Sequence, residues 1–69
     1  MFLRLTSGDN RKFMLNPSFI VEILNSDGTD ENINSVLFTP FHDKNGAPRA
    51  FEVQETIDEI QFQIKDMKK

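Results

Sequence analysis

The chain has 69 residues, a net charge of −3 and no cysteine. The lack of cysteine excludes disulfides and thiolate metal sites, and a single histidine, His42, excludes a two-histidine metal site. The acidic balance and the scattered lysines and arginines argue against nucleic-acid binding, and no apolar run approaches the roughly 18 residues of a membrane span.

The length predicts one domain, residues 1–69, with a marginal core. Small domains are usually reinforced by disulfides, a metal or a partner subunit. With the first two excluded, we expect a homo-oligomer. The N-terminal residues do not read as a signal peptide, because charge interrupts the apolar run and a turn follows at once, so we expect a cytoplasmic location.

Two segments at the start of the chain predict a β-hairpin. Residues 2–6 alternate between apolar and polar positions, and residues 11–16 resume that alternation with Phe13 and Leu15 on one face. Ser7-Gly8-Asp9-Asn10 between them is typical of a tight turn.

Three further strands are predicted downstream. Pro17 interrupts the sheet, and the β-branched run 18–24 indicates a third strand, with Phe19, Val21 and Ile23 on one face. A polar turn over 25–32 precedes a fourth strand at 33–39. A long loop from Pro40 to Pro48 then leads to a short fifth strand at 50–53.

The last segment changes its period. Ile57, Ile60 and Ile64 lie on one face of a helix, and Thr56 with Glu59 forms a capping-box pattern. Residues 60–64 also alternate, so a strand remains the competing interpretation there. The predicted fold is mainly β (α+β): a small twisted antiparallel sheet or barrel of four to five strands with a C-terminal helix.

This order of elements resembles the small flagellar and swarming-motility proteins of the FlbD type. The residues that carry the resemblance are Leu5-Thr6, Gly8, Phe13, Leu15-Asn16, the apolar run through Ile20, Val36-Leu37, Val53 and Gln54 to Ile60. The resemblance implies a non-catalytic binding or regulatory module that acts through protein–protein contacts with a motility component.

A second interpretation comes from another class of protein. Related short proteins also occur on phages and other mobile elements. There the chain would be an accessory protein that oligomerises and sequesters a small molecule or a host factor, with a ligand pocket between subunits.

No segment predicts catalysis, a cofactor or a metal site. His42 is followed by Asp43, but neighbouring side chains in an extended segment point apart, so we expect no catalytic dyad. Around Asp27 the glycine does not fall at the place that a calcium-binding loop needs. Gly8 alone does not make a phosphate-binding loop. We therefore expect no enzyme.

The seven phenylalanines are more informative. Five fall in predicted strands, where most should be core, whereas Phe41 lies in the predicted loop and Phe62 falls off the isoleucine stripe. Exposed aromatic residues and arginine are typical of binding surfaces. The predicted binding residues are Phe41, His42 and Arg49, for which ordinary surface exposure is the alternative interpretation.

Overall fold

The computed structural model describes residues 1–67, which form two antiparallel sheets and one C-terminal helix. This confirms the predicted small α+β fold. The elements are β1 (Leu3–Thr6), β2 (Lys12–Leu15), a 3₁₀ turn (Pro17–Phe19), β3 (Glu22–Asn25), β4 (Ser35–His42), β5 (Pro48–Val53) and α1 (Ile57–Met67).

The first sheet is the predicted hairpin of β1 and β2. Leu5 lies opposite Phe13, and the turn closes with Ser7 N donating to the carbonyl of Arg11 at 2.8 Å. Asn10 takes the left-handed conformation (φ 68°), which asparagine tolerates better than most residues. Asn10 thus supplies the backbone conformation that the predicted tight turn needs.

The predicted third strand starts too early and was wrong for residues 18–21. Pro17 opens a 3₁₀ turn instead, because Asn16 Oδ1 accepts the Ser18 amide at 2.9 Å and caps it. Strand β3 begins only at Glu22. As a result Ile23 packs against the core, whereas Phe19 and Val21, expected on the same face, are exposed.

The second sheet has the order β3–β4–β5. Leu24 pairs with Val36, and Val36 pairs with Glu52 on its other side. Strand β4 alternates strictly over its first five residues: Ser35, Leu37 and Thr39 are buried, and the two residues between them are only half-buried. One face of this sheet is thus enclosed and the other is open.

The predicted long loop from Pro40 to Pro48 was also wrong. Strand β4 continues to His42 and β5 starts at Pro48, so the connection is only residues 43–47. Asp43 closes it, since its Oδ1 accepts the amides of Asn45 (2.8 Å) and Ala47 (3.0 Å). Gly46 supplies the positive φ of 83° that such a turn requires.

Helix α1 confirms the helical interpretation of residues 60–64. Thr56 caps it: its hydroxyl accepts the Glu59 amide at 3.1 Å, and the Glu59 carboxylate accepts the Thr56 amide at 3.2 Å. This is the reciprocal capping box that the sequence predicted. The helix is 11 residues long, and no helix among residues 1–67 has the length and apolar character needed to cross a membrane.

The core lies between the two sheets and under the helix. Its fully enclosed members are Leu3, Leu5, Leu37, Val53 and Ile60. Phe13 and Phe51 pack against them from opposite sheets, with ring centroids 5.5 Å apart. The expectation that most strand phenylalanines are core was therefore wrong, because Phe2 and Phe19 are exposed and Phe38 is half-buried on the open sheet face.

Candidate functional site

The far end of the β4–β5 hairpin is irregular. Phe38 pairs with Ala50 and His42 with Pro48, so three residues of β4 (39–41) lie opposite the single residue Arg49. The middle one is Pro40, which has no amide hydrogen to give to a ladder. A bulge of this kind bends the strand and redirects its side chains.

Thr39 holds the bulge in place. Its buried hydroxyl donates to the carbonyl of Arg49 at 3.0 Å and accepts the amide of Phe41 at 3.4 Å. A side chain thus replaces the ladder bonds that the extra residues disrupt. Phe41 and Arg49 are fixed on either side of the same hydroxyl.

The redirected Phe41 meets Phe19 from the 3₁₀ turn. Their ring centroids are 5.4 Å apart with an interplanar angle of 58°, within the range that aromatic pairs prefer. Both rings remain accessible, Phe19 at 43% and Phe41 at 49%. The chain therefore presents an aromatic pair on its surface, and about half of the area of that pair is exposed to solvent.

The structure brings the three predicted binding residues together at this end of the hairpin. Phe41 and His42 end β4, and Arg49 lies across from them in β5. All three are exposed, and among residues 1–67 Arg49 forms no ion pair. They occupy strands rather than the loop that the sequence predicted.

Sequence reasoning missed Phe19 and Thr39. Phe19 was assigned to the core because it follows the period of a strand, although Asn16-Pro17 just before it is a usual start of a helical turn. No local signal identifies Thr39, since its role depends on a carbonyl ten residues away.

The two carboxylates whose pKa values are lowered, Asp27 and Asp9, lie in connections between strands and are not members of the candidate site. Hydrogen bonds from the Thr29 amide and hydroxyl lower the pKa of Asp27 below its ordinary value of 3.8. The Ser7 hydroxyl, and next the Arg11 guanidinium, lower the pKa of Asp9. Among residues 1–67 no three acidic or histidine side chains are grouped as a metal ion would require.

Comparison with known proteins does not identify the site. No protein-family model, curated protein sequence or solved structure matches the chain significantly.

Proposed function

We propose that the chain is a non-catalytic binding module whose contact site is the Phe19–Phe41 pair together with His42 and Arg49. The observation that carries the proposal is the exposed aromatic pair, held by a bulge on a two-sheet scaffold. Interfaces are enriched in aromatic residues and arginine, and depleted in charged residues at their centre.

The energetics favour a protein partner. Full burial of a phenylalanine side chain stabilises a complex by about 1.5–3 kcal/mol, and roughly half of each ring here is still exposed. The pair is already in contact, so little side-chain freedom remains to be lost on binding. Arg49 at the edge of the pair offers a charged contact for the partner.

The arrangement around His42 supports binding rather than catalysis. A base in a dyad needs a neighbour that orients it. The nearest acidic residue in sequence is Asp43, and its Oδ1 accepts two backbone amides in the turn. We therefore assign His42 to the contact surface.

We further propose a cytoplasmic motility component as the partner class. The support is the resemblance around Gly8 and Gln54–Ile60, together with the cysteine-free composition. Gene neighbours distinguish this setting from a phage or mobile-element setting: flagellar and chemotaxis genes support it, and phage structural genes argue for the alternative.

The binding role is tested by replacing Phe41, His42 and Arg49 jointly with alanine. Proteins captured from the source cells by the wild-type chain should be lost from this variant, and the Kd of an identified partner should rise at least tenfold, about 1.4 kcal/mol. All three side chains are exposed, so circular dichroism should show an intact fold.

The matched control is Phe62→Ala, which removes another exposed phenylalanine from the helix. It should capture the same proteins as the wild type with an unchanged Kd. Equal capture by the wild type and by the folded triple variant would show that the site lies elsewhere.

A further inference from the structure

The outer face of the three-stranded sheet is apolar at its centre and acidic at two corners. We call it the acidic face. It consists of two cross-strand rows, Glu22–Phe38–Ala50 and Leu24–Val36–Glu52. Leu24 is 45% exposed, and Val36 and Phe38 remain partly exposed, although an apolar sheet face is normally covered by a second layer.

One side of the acidic face contains a shallow depression. It has a volume of about 250 Å³, with Leu24, Val36 and Phe38 lining it together with the carboxylates of Asp27 and Glu52. Within residues 1–67 neither carboxylate forms an ion pair. The depression therefore combines an apolar floor with uncompensated negative charge.

The outer face of the two-stranded sheet has the opposite charge. We call it the basic face. It presents Arg4 and Thr6 from β1, Phe2 just before that strand, and Lys12 and Met14 from β2. Arg4 pairs with Met14, and Thr6 pairs with Lys12. Met14 is 65% exposed and Phe2 55%.

The basic face keeps a positive surplus, with Arg4 and Lys12 against the single carboxylate of Glu55 in the depression that they line. Within the described residues Arg4 and Lys12 form no ion pair. Both line an open depression of about 450 Å³. The one carboxylate there, Glu55, is bound by the amide (2.8 Å) and the hydroxyl (2.9 Å) of Thr6, so it is held against the sheet.

We infer that the acidic face of one copy of the chain binds the basic face of a second copy. Each face has exposed apolar side chains, and the two carry opposite charges at diagonal corners. With strands about 4.8 Å apart and about 3.4 Å of rise per residue, the Cα atoms of Glu22 and Glu52 lie about 12 Å apart and those of Arg4 and Lys12 about 8 Å apart. The flexible stems of arginine and lysine span that difference.

Other surfaces of a second copy fit the acidic face less well. Two acidic faces would bring their carboxylates together. The exposed ring of Phe62 on α1 has Asp58 and Glu59 within one helical turn on one side and Lys65 on the other, so it too carries a negative surplus. The basic face is the matching surface.

The geometry makes this contact heterologous. The sheets pack through their inner faces, as the Phe13–Phe51 contact shows, so the acidic and basic faces are separate outer surfaces of the molecule. Each copy that binds then leaves one face of each kind free, and the copies form an open chain or close into a ring. The faces are small, so the contact is weak and sensitive to salt.

The test uses two variants with one damaged face each. Leu24→Lys with Glu52→Lys reverses the acidic face, and Arg4→Glu with Lys12→Glu reverses the basic face. In sedimentation at low salt, the wild-type mass should rise with concentration up to the high micromolar range, whereas each variant alone should stay monomeric. An equimolar mixture should associate again, because the basic face of one variant and the acidic face of the other are both intact.

Three results would overturn the inference: a monomeric wild type, a mixture that stays monomeric, or a basic-face variant that still associates by itself. Circular dichroism checks the fold of each variant. If either is unfolded, Glu22→Gln with Glu52→Gln removes the charge while keeping side-chain shape, and should weaken wild-type association at least tenfold. The residues of the aromatic pair are not involved, so failure here is distinct from failure of the partner-binding role.

Discussion

Ile60 is the helix residue that the core encloses completely. It is 0% exposed and packs in the cluster of Leu3, Leu5, Leu37 and Val53. We expect Ile60→Ala to lower the free energy of unfolding by about 2–5 kcal/mol, the usual cost of emptying a buried isoleucine site. Urea denaturation measures this change in the free energy of unfolding. Phe62→Ala on the same helix is the control and should change stability by less than about 0.5 kcal/mol; an equally small effect at Ile60 would contradict the packing.

Thr39 links stability to the aromatic pair. In Thr39→Val the shape is kept but the hydroxyl is lost, which leaves the Arg49 carbonyl and the Phe41 amide without their partner. We expect a loss of about 1–2 kcal/mol in denaturant unfolding, since a net hydrogen bond contributes about 1 kcal/mol.

Thr39→Val should also weaken partner binding, because the bulge no longer fixes Phe41 against Phe19. Thr39→Ser retains the hydroxyl and should keep binding near the wild-type level. If Thr39→Val binds as tightly as Thr39→Ser, the bulge does not position the ring.

At the scale of elements, helix α1 closes the open edge of β1 with a side chain. Gln63 Oε1 accepts the Arg4 amide and Gln63 Nε2 donates to the Arg4 carbonyl, both at 2.9 Å. Just before the helix, Glu55 accepts the Thr6 amide and Gln54 N donates to the Thr6 carbonyl, each at 2.8 Å. An edge that would otherwise pair with another chain is thereby satisfied.

We expect Gln63→Ala to cost about 1–2 kcal/mol, because two backbone groups of β1 lose their partner. Hydrogen exchange of the Arg4 amide should accelerate, while that of Thr6, held by Glu55, should change little. Gln61→Ala, an exposed position on the same helix, serves as control. Unaltered exchange at Arg4 would show that water replaces Gln63 at no cost.

The sequence predicted those elements whose signals are local. The first hairpin follows from a period of two around a turn, and the helix start follows from Thr56 and Glu59. The segment after Pro17 was misread because apolar content outweighed the Asn16-Pro17 start signal. The long loop was predicted wrongly because its two prolines were taken as loop residues. Both prolines lie in strands, and the turn between them has only five residues and is built by Asp43 and Gly46.

At the scale of the molecule, the candidate site was only partly predictable. Phe41, His42 and Arg49 were chosen because a ring without a core position and an arginine lie near each other in sequence. Phe19 could not be added in that way, since it reaches Phe41 only through the packing of the 3₁₀ turn against the end of β4. The acidic and basic faces likewise depend on cross-strand register, which joins residues far apart in the chain.

The distribution of phenylalanine follows from the size of the molecule. Two short sheets and one helix enclose a narrow core of leucine, isoleucine and valine, with space at its margin for Phe13 and Phe51. The remaining aromatic rings are therefore displaced to the periphery, where Phe2, Phe19, Phe41 and Phe62 are exposed. A small domain of this composition is built with more apolar surface than it can hide by itself.

The closure of β1 by Gln63 also sets an order of events during folding. The two residues it joins, Arg4 and Gln63, are 59 positions apart. A nascent chain that has not yet been synthesised as far as Gln63 carries a strand whose outer edge can pair with another molecule. Contacts between residues so far apart form late, because the entropy cost of closing the long loop comes before the contact stabilises the chain. Strand β1 is thus made before the other four strands and is among the last to be protected.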